Sequence, residues 1–173
     1  MAGSLIKIDE EIVTSAVASV TLGGSDWDSS YDVYVVKVNN CIPVNDGVSH
    51  YMRITKSGTP DTTSNLDFAY EDLRSYSAFA NDFATNQNKL NFGFAGTGGS
   101  EGLNTIMYLF NFNSSSEYSF GTVETTTLNS AQQLRGLQGG FTHTVASASD
   151  GVHFFFSSGN ITSGTFTLYG LAK

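Results

Sequence analysis

Short runs of residues that alternate between apolar and polar side chains fill most of the chain, and this period of two predicts β-strands. The clearest run extends from Tyr31 to Val38, and we expect Val33 and Val35 to point inward, with Val36 and Val38 following less strictly. Comparable runs lie at residues 5–8, 13–22, 48–55, 66–73, 90–94, 106–111, 118–126, 140–146, 152–156 and 161–170. Turn residues recur about every 8 to 12 positions, so we expect about ten short strands.

Two turn signals suggest how neighbouring strands connect. Asp46-Gly47 supplies the positive φ angles of a tight turn, and we expect it to close a hairpin with residues 48–55. Ser157–Asn160 separates the runs 152–156 and 161–170, which we also expect to form a hairpin.

Two segments depart from simple alternation. Tyr76, Phe79 and Phe83 are spaced by three and four residues, which fits a short helix as well as an irregular loop. Residues 106–111 are apolar on both sides of the alternation, which is typical of a central strand.

These patterns predict one all-β domain over residues 1–173: a two-sheet antiparallel β-sandwich of the jelly-roll type. The 18 glycines and only 2 prolines suit strands joined by tight turns. Charged residues make up 14% of the chain, against roughly 25% in soluble domains. The surface must therefore be covered largely by uncharged polar side chains.

Charge and hydropathy exclude two classes of partner. The net charge is −8, and the eight basic residues are scattered, whereas binding to nucleic acid requires clustered cations that displace phosphate counterions. No apolar run approaches the roughly 20 residues that span a bilayer, and residues 1–10 lack the apolar core of a secretory signal. We expect no nucleic acid, no membrane, and synthesis in a cytosol.

The single cysteine offers no disulfide within the chain. Cys41 is followed by the apolar residues Ile42 and Val44, so we expect it to be a buried strand residue rather than a nucleophile. We therefore interpret Cys41 as a small hydrophobic side chain.

Metal-binding motifs are weak in this sequence. His50, His143 and His153 lie far apart, and we expect solvated or hydrogen-bonded strand residues, with a site across a sheet as the alternative. Asp26 and Asp28 resemble the start of a calcium loop, but the later ligands and the glycine of an EF-hand are missing. We predict no metal site.

Catalytic motifs are also missing. The adjacent acids Glu10-Glu11 and Glu71-Asp72 point to opposite faces if they lie on strands, so neither pair fits glycoside hydrolysis. The letters G-x-S-x-G occur at Gly98–Gly102, but in a flexible glycine-rich stretch rather than in the strand-to-helix turn of a nucleophile elbow, and there is no P-loop. We therefore expect no enzyme, no catalytic residue and no cofactor.

One aromatic pair could bind a sugar. Trp27 lies in an acidic loop and Tyr31 follows closely, and together they could form a stacking platform for a glycan. A single exposed aromatic loop is a weak signal for such a site. The pair is kept as the candidate glycan contact.

Several segments resemble a small structural protein family of tailed bacteriophages. They are IVTSAVASVTL (Ile12 to Leu22), YDVYVVKVNNCIPVNDGVSHYMRIT (Tyr31 to Thr55), NQNKLNFGFAGTGGSEGLNTIMYLFNF in the middle and FFFSSGNITSGTFTLYGLAK (Phe154 to Lys173). The ending SGNITSGTFTLYGL is the most specific of them, and residues 64–88 match the family pattern least.

The resemblance implies a β-sandwich virion protein on the capsid surface or in the tail, made in the bacterial host cytoplasm. It brings no catalytic residues. The first hypothesis is a capsid decoration, or cement, protein that forms homo-oligomers, most simply trimers, and binds the major capsid protein. The alternative is a tail or fibre-tip module that contacts tail proteins and binds host-surface glycans.

Four apolar residues lie in segments whose packing the pattern leaves open. Leu5 and Ile6 belong to residues 1–9, and Phe79 and Phe83 belong to residues 76–88. Exposed apolar side chains mark interaction sites when they cluster. We expect these four residues to contribute to contacts between subunits.

Overall fold

Two antiparallel β-sheets form the protein in the computed structural model, which describes residues 4–27 and 29–171. Thirteen strands and no α-helix are present in this part of the chain. The predicted all-β sandwich is confirmed. Ten strands were too few, partly because the short strand at Thr59–Pro60 falls where only a turn was expected.

Eight strands form the larger sheet. Their bounds are β1 (Leu5–Val13), β3 (Val33–Pro43), β6 (Leu66–Arg74), β7 (Ala80–Gln87), β9 (Leu103–Phe110), β10 (Ser119–Leu128), β11 (Leu134–His143) and β13 (Ile161–Leu171). Their spatial order is β1-β13-β3-β9-β10-β11-β6-β7.

Five strands form the smaller sheet. Their bounds are β2 (Ser19–Gly23), β4 (Val48–Lys56), β5 (Thr59–Pro60), β8 (Leu90–Ala95) and β12 (Gly151–Phe156). Their order is β2-β12-β4-β5, and β8 also pairs with β4. A short 3₁₀ turn, Gly24–Asp26, follows β2.

The connectivity is that of a jelly roll with an addition on one side. The strands β1-β13-β3-β9 of the larger sheet and β2-β12-β4-β8 of the smaller sheet follow the jelly-roll order, in which the chain repeatedly crosses between sheets. The remaining strands of the larger sheet, β10, β11, β6 and β7, continue it beyond β9. We call these four strands the extension.

The core lies between the sheets, and Val36 and Val38 of β3 point into it as expected, whereas Val33 and Val35 do not. Tyr34, Val36 and Val38 belong to the buried core cluster, whereas Val35 is buried on the other face of the sheet, in register with Tyr108. Both faces of β3 are apolar, so alternation alone could not choose between them.

Neither predicted hairpin forms, although both turns do. Gly47 has a φ of 63°, as its turn requires, but it joins β3 to β4, which lie in different sheets. The turn at Ser157–Asn160 likewise joins β12 to β13 across the sandwich. Turn chemistry specifies a local reversal and does not specify which strands pair.

Of the two alternatives for this segment, the short helix does not form, and the irregular loop describes Tyr76 and Phe79. Tyr76 and Phe79 lie between β6 and β7, and Phe83 lies within β7, where it is in register with Ala69 of β6. The spacing of these residues resembles that of a helix only because Phe79 precedes β7 while Phe83 belongs to it. The prediction of a central strand at residues 106–111 is confirmed, because β9 lies between β3 and β10.

Candidate interaction surface

The outer face of the larger sheet, over β9 and the extension, carries phenylalanines from three strands. Phe110 of β9 lies directly opposite Phe120 of β10. One row further along the strands, Thr122, Gly140 and Ala69 follow one another in register and lead to Phe83 on β7. The sheet therefore places large aromatic side chains around small ones.

This arrangement produces an open cleft of about 780 Å³. Phe83, Phe110 and Phe120 contribute to its walls, while Ala69 and Gly140 contribute the small residues beneath. We call this feature the phenylalanine cleft. Its volume falls in the range of roughly 300–1,000 Å³ that ligand pockets occupy, but it is wide and shallow because it lies on a sheet face.

The cleft residues are more exposed than aromatic side chains usually are. Phe83 is 76% exposed, Phe120 48% and Phe110 36%. Tyr108 extends the apolar surface along β9, and it is 43% exposed. Contiguous apolar surface of this kind marks interaction sites in soluble proteins, whereas isolated apolar residues do not.

Electrostatics around the cleft are simple. Asp67 is the one charged residue among those that line it, and Asp67 Oδ1 accepts a hydrogen bond from the backbone N–H of Asn86 at 2.8 Å. No Lys, Arg or His side chain lines the cleft. Its lining is therefore suited mainly to burying apolar surface.

The cleft adjoins an edge strand that has little protection against pairing with another chain. At the other edge of the sheet, β1 carries Lys7, Asp9, Glu10 and Glu11, and a bulge interrupts its pairing between Lys7 and Asp9. Charges and bulges of this kind discourage strand pairing. The edge strand β7 carries Asp82 as its single charged residue.

The four predicted contact residues fall at opposite edges of the larger sheet. Leu5 and Ile6 lie on β1, where Leu5 is in register with Leu171, and both are about half exposed. Phe79 and Phe83 lie at the β7 edge. The structure thus does not bring the two pairs together, and Met1 to Gly3 lie outside the described residues.

The predicted glycan platform is wrong. Trp27 is only 8% exposed, and its ring stacks on Tyr34 with centroids 4.0 Å apart. Trp27 Nε1 donates a hydrogen bond to Asn113 Oδ1 at 2.8 Å. Tyr31 packs beside them, edge-on to Tyr34. The acidic loop suggested exposure, but the indole completes the end of the core.

Cys41 and the three histidines, the side chains that could act as nucleophiles or bases, lie apart from one another. Cys41 is fully buried in β3, as expected, and burial raises the pKa of its thiol to about 12. His50 lies in the core, His143 lies 3.5 Å from the Lys56 ammonium, and His153 bonds to Thr21 on the outer face of the smaller sheet. The three histidines do not meet.

Metal ligands and paired acids give no reactive site either. In residues 4–27 and 29–171, no group of three or more His, Cys, Asp or Glu side chains could hold a metal ion. Asp28, part of the weak calcium motif, lies outside those residues. Glu71 is exposed and Asp72 is buried, so this pair does point to opposite faces as predicted.

The sequence pattern did not mark Phe110 and Phe120 as exposed residues of an interaction surface. Both residues follow the regular alternation of their strands. Only the pairing with neighbouring strands shows that the sheet face on which they lie is uncovered. Residues 106–111 did indicate an unusual surface, because they are apolar on both faces of the strand. A strand in a two-sheet sandwich normally has one polar face, which contacts solvent.

Comparison with known proteins adds no family assignment. No protein-family model matches the chain, and no curated protein matches it in sequence. None of the described residues form a helix that is long and apolar enough to cross a bilayer.

Proposed function

We propose that this chain is a non-enzymatic structural protein of a tailed-bacteriophage particle, where it decorates the capsid as a homo-oligomer. The phenylalanine cleft carries the proposal, because aromatic side chains left in water on a folded domain favour a partner surface. The resemblance of the ending SGNITSGTFTLYGL to phage structural proteins supplies the setting. The virion is its location, after synthesis in the host cytoplasm.

The mechanism under this proposal is passive. Burying one exposed phenylalanine contributes about 1.5–3 kcal/mol, and Phe83, Phe110 and Phe120 can be buried together. A partner that binds only the folded domain also stabilises it by mass action. Copies gathered as a trimer over a symmetry axis would tie neighbouring major capsid proteins together.

The extension explains how a jelly roll can serve as such a connector. The inner face of the extension packs into the shared core through residues such as Tyr70, Val123 and Phe141, so its outer face is the one free to contact a partner. Only 14% of the residues are charged, so few charges have to be desolvated between copies packed side by side. These features support an assembly role without any catalytic step.

Removing apolar surface from the cleft tests the proposal. Phe83→Ser and Phe120→Ser, separately and combined, should abolish binding to capsids of the encoding phage that were prepared without this protein. Val44→Ser is the matched control, because Val44 is 50% exposed in the turn between β3 and β4 and does not line the phenylalanine cleft. Circular dichroism melts establish that each variant is folded.

Two results would contradict the proposal. If the double variant binds capsids and self-associates like the wild type, as measured by sedimentation and by light scattering, the cleft does not carry assembly. If labelled antibodies place the protein only on tails, the decoration role is wrong and the tail or fibre-tip role takes its place.

A further inference from the structure

The outer face of the smaller sheet differs from the rest of this acidic protein. Two rows of side chains cross it in register: Ser19, Phe155, Tyr51 and Asn91 in one row, and Thr21, His153 and Arg53 in the other. Neither row contains Asp or Glu, in a chain with 16 acidic residues.

Two cations lie over the aromatic rings of this face. The Arg53 guanidinium carbon is 4.8 Å from the centroid of the Phe155 ring, and Lys89 Nζ is 4.9 Å from the centroid of the Tyr51 ring. The two rings are themselves 5.5 Å apart. We call Tyr51, Arg53, Lys89, His153 and Phe155 the cationic face.

The cations are held in place but not neutralised. Arg53 Nε donates to the backbone oxygen of Asn88 at 3.1 Å, which fixes the guanidinium plane and leaves both terminal nitrogens available. Across the described residues, the ion pairs involve Lys7, Lys56, Arg74, Arg135 and His143, and never Arg53 or Lys89. A fixed guanidinium with two open nitrogens suits a bidentate carboxylate.

We propose that the cationic face binds an acidic polysaccharide, with Arg53 and Lys89, which the rings of Phe155 and Tyr51 hold in position, pairing with sugar carboxylates. The site is independent of the phenylalanine cleft, which lies on the other sheet. It also differs from the Trp27 platform that the sequence suggested.

The charge and the exposed polar groups of the cationic face favour an acidic polysaccharide over a nucleic acid or an acidic protein. A nucleic acid would need more cations than two to displace its counterions. An acidic protein partner would gain most from burying apolar anchors, and here the rings are already partly covered by cations. A saccharide offers carboxylates to the cations and hydroxyls to Thr21, His153 and Asn91, and it requires no apolar pocket.

Titration calorimetry with oligogalacturonate tests the proposal. The wild type should bind it more weakly as NaCl is raised, because salt screens exposed charges, and neutral dextran should not bind. Arg53→Gln with Lys89→Gln should weaken binding by about tenfold or more. Lys37→Gln is the matched control for Arg53→Gln alone, since Lys37 faces outward on the other sheet and each of these single substitutions removes one positive charge.

A second set of variants tests the contribution of the aromatic rings separately from that of the charges. It also tests the Trp27 platform that the sequence suggested. Tyr51→Leu should weaken oligogalacturonate binding with no change in net charge, and Trp27→Phe should leave it unchanged. Melting curves establish that these variants are folded at the assay temperature.

Three outcomes overturn the proposal. No heat of binding with oligogalacturonate at either of two assay temperatures shows that the cationic face does not bind this carboxylated glycan. An equal loss of affinity in Lys37→Gln and in Arg53→Gln shows that only the overall charge matters. Binding of polyglutamate as tightly as oligogalacturonate makes an acidic polypeptide the occupant. Each of these results can appear while capsid binding through the phenylalanine cleft stays intact.

Discussion

The imidazole of His50 lies parallel to the phenyl ring of Phe154, with ring centroids 5.5 Å apart and 5° between the planes. Both residues are completely buried, and neither ring nitrogen of His50 has a hydrogen-bond partner in the described part of the chain. Because burial penalises the charged form, the pKa of His50 is lowered from 6.5 to about 3.

Stability should therefore fall as the pH is lowered below about 6.5. The unfolded chain binds a proton on His50 near its ordinary pKa, whereas the folded chain does not until about pH 3. By pH 3 the linked loss of unfolding free energy is on the order of 4 kcal/mol. Urea unfolding at a series of pH values between 7.5 and 4 measures it.

His50→Leu isolates this effect from the other histidines. Burial also lowers the pKa of His143 and of His153, so they contribute with the same sign. The leucine variant should lose the larger part of the slope between pH 6.5 and 4. A slope equal to that of the wild type would show that His50 is not a buried neutral group.

Trp27 should contribute to stability rather than to binding. Trp27→Phe removes the hydrogen bond to Asn113 and part of the stack on Tyr34, so we expect a loss of about 1–3 kcal/mol. Because Trp27 is the only tryptophan, its fluorescence should be blue-shifted and poorly quenched by acrylamide. Strong quenching in the native protein would contradict the burial of the indole.

Asp72 should be the most sensitive carboxylate of the extension. Burial would raise the pKa of Asp72, but hydrogen bonds from Arg135 and Arg74 lower it below its usual value. Its Oδ2 lies 2.8 Å from Arg135 Nη2 and 2.6 Å from Arg74 Nη2. Asp72→Asn should cost about 2 kcal/mol, measured by urea unfolding at pH 7.

The neighbouring residue offers the control for that substitution. Glu71 lies on the same strand but faces solvent, so Glu71→Gln should change stability by less than about 0.5 kcal/mol. Equal effects of the two substitutions would mean that the paired guanidinium groups do not stabilise the extension.

Cys41 should be inert in the folded protein. Burial raises the pKa of its thiol to about 12, and the thiolate is the form that reacts. Iodoacetamide at pH 8 should label the unfolded protein within minutes and leave the native protein unmodified, as read by intact mass. Rapid labelling of the native protein would show that β3 opens frequently.

The sequence predicted strands well because each strand carries its own alternation, as in Leu103–Phe110 and Ser119–Leu128. It could not predict which strands pair. The turn at Asp46-Gly47 was correctly located, but the strands it joins lie in different sheets. Sheet membership depends on contacts between distant segments, such as Leu5 with Leu171.

The interaction surfaces were harder to predict than the strands. Phe83 was singled out correctly as an exposed apolar residue, although for a segment expected to be helical or irregular. Phe110 and Phe120 become neighbours only through pairing between β9 and β10. Trp27 was misplaced because polar neighbours in a loop do not reveal that one side chain turns back into the core.

The pairing of β1 with β13 determines how the domain would respond to tension. Leu5 and Leu171 are direct partners at one end of an antiparallel pair, so a pull on the two chain ends would load its hydrogen bonds one after another, as in a zipper. Such a seam opens at low force. A protein that resists pressure inside a shell would therefore have to receive the load across a sheet face, where many strands share it, rather than through its ends.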